Sequence, residues 1–154
     1  MPNGPHKFYG YLDIKLSDNL CLPNRAHPTD AGLDLKSRED WIIYPGEMKV
    51  VKTGVSVKIP EYYVGLVFSR SGMGKVRVTL SNSVGVIDAH YRGEIMVMIE
   101  NNGYDPFIIK KYDRIAQLVI TPVITPQVVV YDGTEEDWND TQRGSSGFGS
   151  TGKQ

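Results

Sequence analysis

With 154 residues the chain is long enough to bury one real core and too short for two ordinary domains. Its 17 basic and 18 acidic side chains nearly cancel to a formal charge of −1, which leaves no electrostatic footprint for gripping long nucleic acid. One cysteine, Cys21, excludes an internal disulfide framework and fits a reducing, cytoplasmic setting, while His6, His27 and His90 give no zinc spacing and no apolar run reaches membrane-spanning length.

In chain order, strands are expected at residues 11–16, 41–44, 48–51, 55–59, 63–68, 76–80, 95–99, 107–109, 115–120 and 128–131. Residues 11–16, 48–51, 55–59 and 76–80 alternate apolar and polar, as half-buried strands do. The other six runs are more continuous and read as buried on both faces. Pro45-Gly46, Thr53-Gly54, Pro60 and Asn102-Gly103 mark turns between them. The only window that admits a helix is a short one near residues 71–76. Many short, evenly spaced strands predict an all-β jelly-roll-like sandwich or barrel with at most one short helix. Residues 1–131 read as the β-rich core. The acidic stretch 132–140 reads as a tether to a glycine-rich arm ending at residue 154.

Five segments carry polar groups that a plain β-domain does not need. In Ala31-Gly-Leu-Asp-Leu35 and Arg114-Ile-Ala-Gln-Leu118, Asp34 and Gln117 interrupt apolar runs, so each needs a structural partner or a ligand, and from chemistry alone the partner is favoured. Ser69-Arg-Ser-Gly-Met-Gly-Lys75 follows an apolar strand, and Arg70, Ser71 and Gly72 there form either a small anion nest or an ordinary polar turn. Asn82 through Glu94 reads as a β-hairpin whose tip gathers Asp88, His90, Tyr91 and Arg92; an Asx-turn is the plain alternative.

The last segment, residues 143–153, combines four glycines with Ser145, Ser146, Ser150 and Thr151, two cations (Arg143 and Lys153) and one aromatic face, Phe148. Glycine lets backbone N–H groups approach an anion, and a lone aromatic offers a surface for stacking a base. A flexible glycine-serine tail is the bland alternative, but it has no reason to carry Arg143 or Phe148. Residues 147–153 also imitate a dinucleotide fingerprint and a P-loop. Both motifs require a strand before and a helix after, so both are rejected and only a phosphate cradle is retained.

Taken in order, Ala31–Leu35, Arg70–Met73, Gly85–Gly93, Arg114–Gln117 and Arg143–Ser150 resemble the five motifs of the homotrimeric dUTP diphosphatases, and the similarity runs over nearly the whole chain. The resemblance implies a jelly-roll subunit and a homotrimer with active sites shared between subunits. It implies Mg²⁺-assisted hydrolysis of dUTP to dUMP and pyrophosphate, which limits uracil in DNA and supplies dUMP for thymidylate synthesis. Asp88 matches the carboxylate that activates the attacking water, and Tyr91 matches the ring that packs on deoxyribose and excludes a 2′-hydroxyl. Asn82 and the hairpin backbone, with Gly85 and Ile87, would read the edge of uracil, Met96 matches a further substrate-binding position, and Arg70, Ser71, Gly72 and Gln117 match groups on the phosphates and the water. Arg143 would meet the γ-phosphate, and Phe148, Gly149 and Ser150 would close over the nucleotide. Mg²⁺ would ride on the triphosphate without direct protein ligands, with Asp34 near it through water.

Three positions depart from the pattern: His90 stands where Asp or Gly is common, Tyr112 where Gly is usual, and Ser69 where Pro is usual. The related dCTP deaminases place a glutamate where this chain has Met98, which disfavours that activity. A non-enzymatic regulator that uses dUTP as an effector is a further alternative, disfavoured by intact Asp88, Tyr91, Arg143 and Phe148.

Overall fold

The structure, a computed structural model, describes residues 10–146. Eleven strands form four antiparallel sheets among the described residues. The strands are β1 (Asp13–Leu16), β2 (Leu33–Lys36), β3 (Trp41–Ile43), β4 (Met48–Lys52), β5 (Val55–Lys58), β6 (Tyr63–Phe68), β7 (Val78–Leu80), β8 (Gly85–Ile87), β9 (Met96–Asn101), β10 (Phe107–Ile109) and β11 (Arg114–Pro122). Sheet order is β1-β5, β10-β3, β2-β11-β6-β8 and β4-β9-β7. The all-β reading holds.

β-Branched and aliphatic side chains at every second position explain the strands and the core together. Leu35, Ile43, Val51, Val55, Ile99 and Leu118 lose all exposure to solvent. The buried amide of Asn101 stitches this core internally: Nδ2 donates to the carbonyls of Ile43 and Asp105, and Oδ1 accepts from the Gly103 N–H. Cys21 is also fully buried, and burial pushes its thiol above the ordinary value, so it serves as a small hydrophobe.

Four expectations are corrected. Residues 128–131 form no strand, and Val128 and Val130 are almost wholly exposed, because none of the described residues of their own unit forms a strand to pair with. Runs expected to be buried on both faces alternate instead: β9 buries Val97, Ile99 and Asn101 and half-exposes or exposes the residues between, as the antiparallel setting requires. Residues 82–94 are not a β-hairpin, since β8 pairs with β6 whereas β9 pairs with β4 and β7. Finally, the described residues hold two small α-helices and not one, besides a single 3-10 turn at Asn19–Cys21. The expected α1 (Ser71–Lys75) is joined by α2 (Glu135–Asn139) in the stretch read as a tether. Thr134 starts α2 as its N-cap, its hydroxyl accepting from the Asp137 N–H at 3.1 Å, and three acidic residues favour the positive helix end.

The chain divides into two compact units, one reaching Ile124 and the other beginning at Thr125. The second contains α2 and a tilted contact between Tyr131 and Trp138, ring centroids 4.9 Å apart.

Candidate active site

Most of the singled-out residues fall into two clusters on the four-stranded sheet. The first lies where β2, β11 and the start of α1 meet. Asp34 and Gln117 are direct cross-strand partners, and Gln117 faces Phe68 on its other side. Asp34 is mostly buried, its side chain 13% exposed, and both its oxygens are engaged. Oδ1 accepts from Arg70 Nε at 3.1 Å and Oδ2 accepts from Arg114 Nη1 at 3.2 Å. Gln117 Nε2 donates to the Ser69 carbonyl at 3.2 Å, which fixes the amide beside the β6–α1 junction. Gly32 makes this possible: a Cβ there would sit 2.5 Å from Gln117 Oε1. Ser71 and Gly72 follow at the exposed beginning of α1, and a Cβ on Gly72 would meet nothing among the described residues within 4 Å. No contact among them requires that glycine.

The second cluster lies at the opposite edge, where β8 ends. Asn82, Gly85, Ile87 and Met96 line a cleft of about 110 Å³. That is room for a few waters or one small flat ring. Gly85 is tight against Val67, its hypothetical Cβ 3.1 Å from the valine Cβ, so β8 packs closely on β6. Beyond Ile87 the chain turns, with the Tyr91 N–H donating to the Asp88 carbonyl at 3.1 Å. Asp88 is exposed, and its carboxylate has no partner among the described residues. The loop around it is braced. Tyr91 donates its hydroxyl proton to the Glu94 carbonyl at 3.0 Å, and Arg92 Nη1 donates to the carbonyls of Ala89 and Tyr91. Glu94 accepts from the Gly54 N–H at 2.7 Å and pairs with Arg38 at 3.5 Å, anchoring the loop's far end.

Gly93 clears space for the Tyr91 ring, because a Cβ there would lie 2.5 Å from Cζ. Sequence reasoning gave no role to Gly32, Gly93, Glu94 or Arg114. The glycines were visible inside their motifs, but their clashes appear only once Gln117 and Tyr91 are placed.

The two clusters are separate within one copy. Ile87 shares a sheet row with Gly65 and Ile120, two strands across from β11 and three residues along it from Gln117. Strand spacing and rise therefore put the Cα atoms of Asp88 and Gln117 about 16 Å apart. Arg143 belongs to the second unit, where its Nε donates to the Ser146 carbonyl at 2.9 Å. Phe148, Gly149 and Ser150 lie outside the described residues. Among the described residues no group of three or more His, Cys, Asp or Glu could hold a metal ion. No described helix is long and apolar enough to cross a membrane.

The departures find local explanations. Tyr112 adopts φ +72°, the left-handed region that glycine enters without cost. Its side chain compensates: the hydroxyl donates to Asp18 Oδ2 at 2.5 Å, and the Lys111 ammonium lies 4.8 Å from the ring centre. Ser69 serves Gln117 through its carbonyl, which any residue supplies. His90 is exposed beside Ala89.

A family model described as dUTPase matches residues 18–152. The deoxyuridine 5'-triphosphate nucleotidohydrolase of Clostridioides difficile is 41% identical over 142 residues, covering 90% of this chain and 94% of its own. That of Clostridium kluyveri is 45% identical over 139 residues, with the same coverage of 90% and 94%. Among solved structures, a mutant Staphylococcus bacteriophage 80alpha dUTPase with dUpNHpp matches at TM-score 0.83 and 34% identity, covering 93% of this chain and 99% of that one. A mutant dUTPase from phage phi11 of S. aureus, described for its coordination of a structural Mg(II) ion, matches at TM-score 0.75 and 33% identity, covering 82% and 99%.

Proposed function

The chain belongs to the dUTPase family, and on that premise we propose that it hydrolyses dUTP to dUMP and pyrophosphate in a site completed by neighbouring copies of itself. The observation that carries this reading is the cleft of Asn82, Gly85, Ile87 and Met96 opening beside an unpartnered carboxylate, Asp88. The cleft takes the uracil, and Gly85 lets the base approach the β8 backbone. Tyr91, held by Glu94 and cleared by Gly93, packs on the deoxyribose and leaves no space for a 2′-hydroxyl.

Asp88 then faces the α-phosphate. Its carboxylate orients a water and takes its proton as the water oxygen bonds to the α-phosphorus and the bond to the bridging oxygen breaks, releasing pyrophosphate. An exposed carboxylate suffices when geometry does most of the work. Arg70, Ser71, Gly72 and Gln117 hold the phosphates and the water, and the open space before Gly72 leaves room for a phosphate oxygen near the backbone.

Attack requires reacting atoms about 3 Å apart. Carboxylate and amide side chains do not close a gap of about 16 Å between Asp88 and Gln117 in one copy. One subunit therefore supplies base pocket and carboxylate, and the next supplies the phosphate groups. A closed ring of three copies satisfies this arrangement, and Arg143 and Phe148 come from an arm. Mg²⁺ enters as part of the Mg²⁺–dUTP substrate, neutralising triphosphate charge, which asks for no carboxylate cage in the protein. Measuring pyrophosphate release from dUTP beside dTTP, dCTP and UTP tests the reading. Release from dUTP alone is expected; equal rates with dCTP or UTP would defeat it.

A further inference from the structure

The charge pattern of the first cluster has a consequence for Asp34 and Arg114. One mostly buried carboxylate serves two guanidiniums, Arg70 at 3.1 Å and Arg114 at 3.2 Å. Arginine stays protonated at any ordinary pH, so two cations meet at this one carboxyl group. Without the carboxylate between them the two cations would repel. With it, Arg70 loses its freedom of rotation: Nε is bound to Asp34, and Nη1 approaches the Arg114 carbonyl at 3.5 Å. Its Nη2 has no partner among the described residues. Arg70, Gly72 and Arg114 also line one cavity of about 290 Å³.

We propose that Asp34 and Arg114 are positioning residues, clamping the Arg70 guanidinium so that its free edge is presented to the triphosphate. This rests on the proposed dUTPase reaction and deepens it. Arg114 braces the carboxylate from its other oxygen, so its removal leaves Asp34 held by Arg70 alone.

The test measures kcat and KM for dUTP, the Mg²⁺ concentration giving half-maximal rate, dUMP affinity and thermal melting in wild type, Asp34→Asn, Arg114→Gln and Arg114→Lys. Asp34→Asn is expected to raise KM for dUTP about 10-fold, with kcat changed less than about 2-fold and dUMP affinity and Mg²⁺ requirement unchanged. Arg114→Gln is expected to raise KM by a smaller factor and Arg114→Lys to recover part of it. The double variant Asp34→Asn/Arg114→Gln should be no worse than Asp34→Asn alone, since both act through Arg70. A shift in Mg²⁺ requirement with KM intact would assign Asp34 to the metal and overturn the clamp. Parallel loss of dUMP affinity would mean a general structural role and overturn it as well. Should Asp34→Asn fail to fold, the two Arg114 variants decide by the same readings, unchanged KM in both contradicting the proposal. No pyrophosphate release by wild type would instead remove the reaction itself, and the clamp with it.

Discussion

The two clusters of the four-stranded sheet solve opposite problems. At the β2–β11 edge the charged groups are already satisfied by one another: Asp34 holds Arg70 and Arg114, and Gln117 is tied to Ser69. At the β8 edge the key carboxylate is left open, while everything around it is braced by Tyr91, Arg92 and Glu94. A phosphate site gains from cations fixed before the ligand arrives, because no reorganisation is then needed. A general base gains from an unoccupied oxygen that can meet water.

The contrast is broken most severely at its open end. Asp88→Asn is expected to lower kcat by about 10³-fold with nucleotide affinity nearly unchanged, read from steady-state rates and binding of a non-hydrolysable dUTP analogue. Wild-type-like turnover would remove Asp88 as base. Next in size, deleting residues 141–154 should leave the melting temperature unchanged and reduce kcat/KM about 10²-fold, as Arg143 and Phe148 are lost. A matching fall in melting temperature would make the arm structural instead.

A smaller effect is expected where the brace supports specificity. Gly93→Ala forces the Tyr91 ring to move, and discrimination between dUTP and UTP in kcat/KM should weaken about 10-fold. An unaltered ratio would separate Tyr91 from sugar recognition.

The smallest concerns stability away from both clusters. Hydrogen bonds from the Tyr112 hydroxyl and then the Leu20 N–H hold the Asp18 carboxyl below its ordinary value of 3.8. A depressed carboxylate stabilises the fold above its unfolded pKa, and that contribution is lost as pH falls below 3.8 through the folded value. Tyr112→Phe should therefore melt slightly lower than wild type near neutral pH and converge with it in acid. A constant difference across pH would contradict the link.

Much of this was legible in the sequence because strand periodicity and turn residues are local signals. The alternation of 55–59, the continuous apolar runs at 63–68 and 107–109 and the turn residues between them sufficed to place β5, β6 and β10. The hairpin reading of 82–94 failed because pairing partners are chosen by tertiary packing, and neither β8 nor β9 encodes its neighbour locally. Residues 128–131 show the same limit: high β-propensity does not make a strand without a partner. Asp34 was recognised as a polar interruption needing a partner, and within the chain it has two. That both partners are arginines, one of them 80 residues away, is a fact of register alone.

The proposed division of labour between subunits is tested most directly by mixing two disabled variants. Asp88→Asn lacks the proposed base and Arg70→Ala the proposed phosphate cation, so each alone should release almost no pyrophosphate from dUTP. Unfolded together in equal amounts and reassembled, they should recover about a quarter of wild-type activity, because one interface in four pairs an intact carboxylate with an intact arginine. Reassembled mixtures no more active than the two parents would place carboxylate and arginine in the same chain's site and contradict the arrangement.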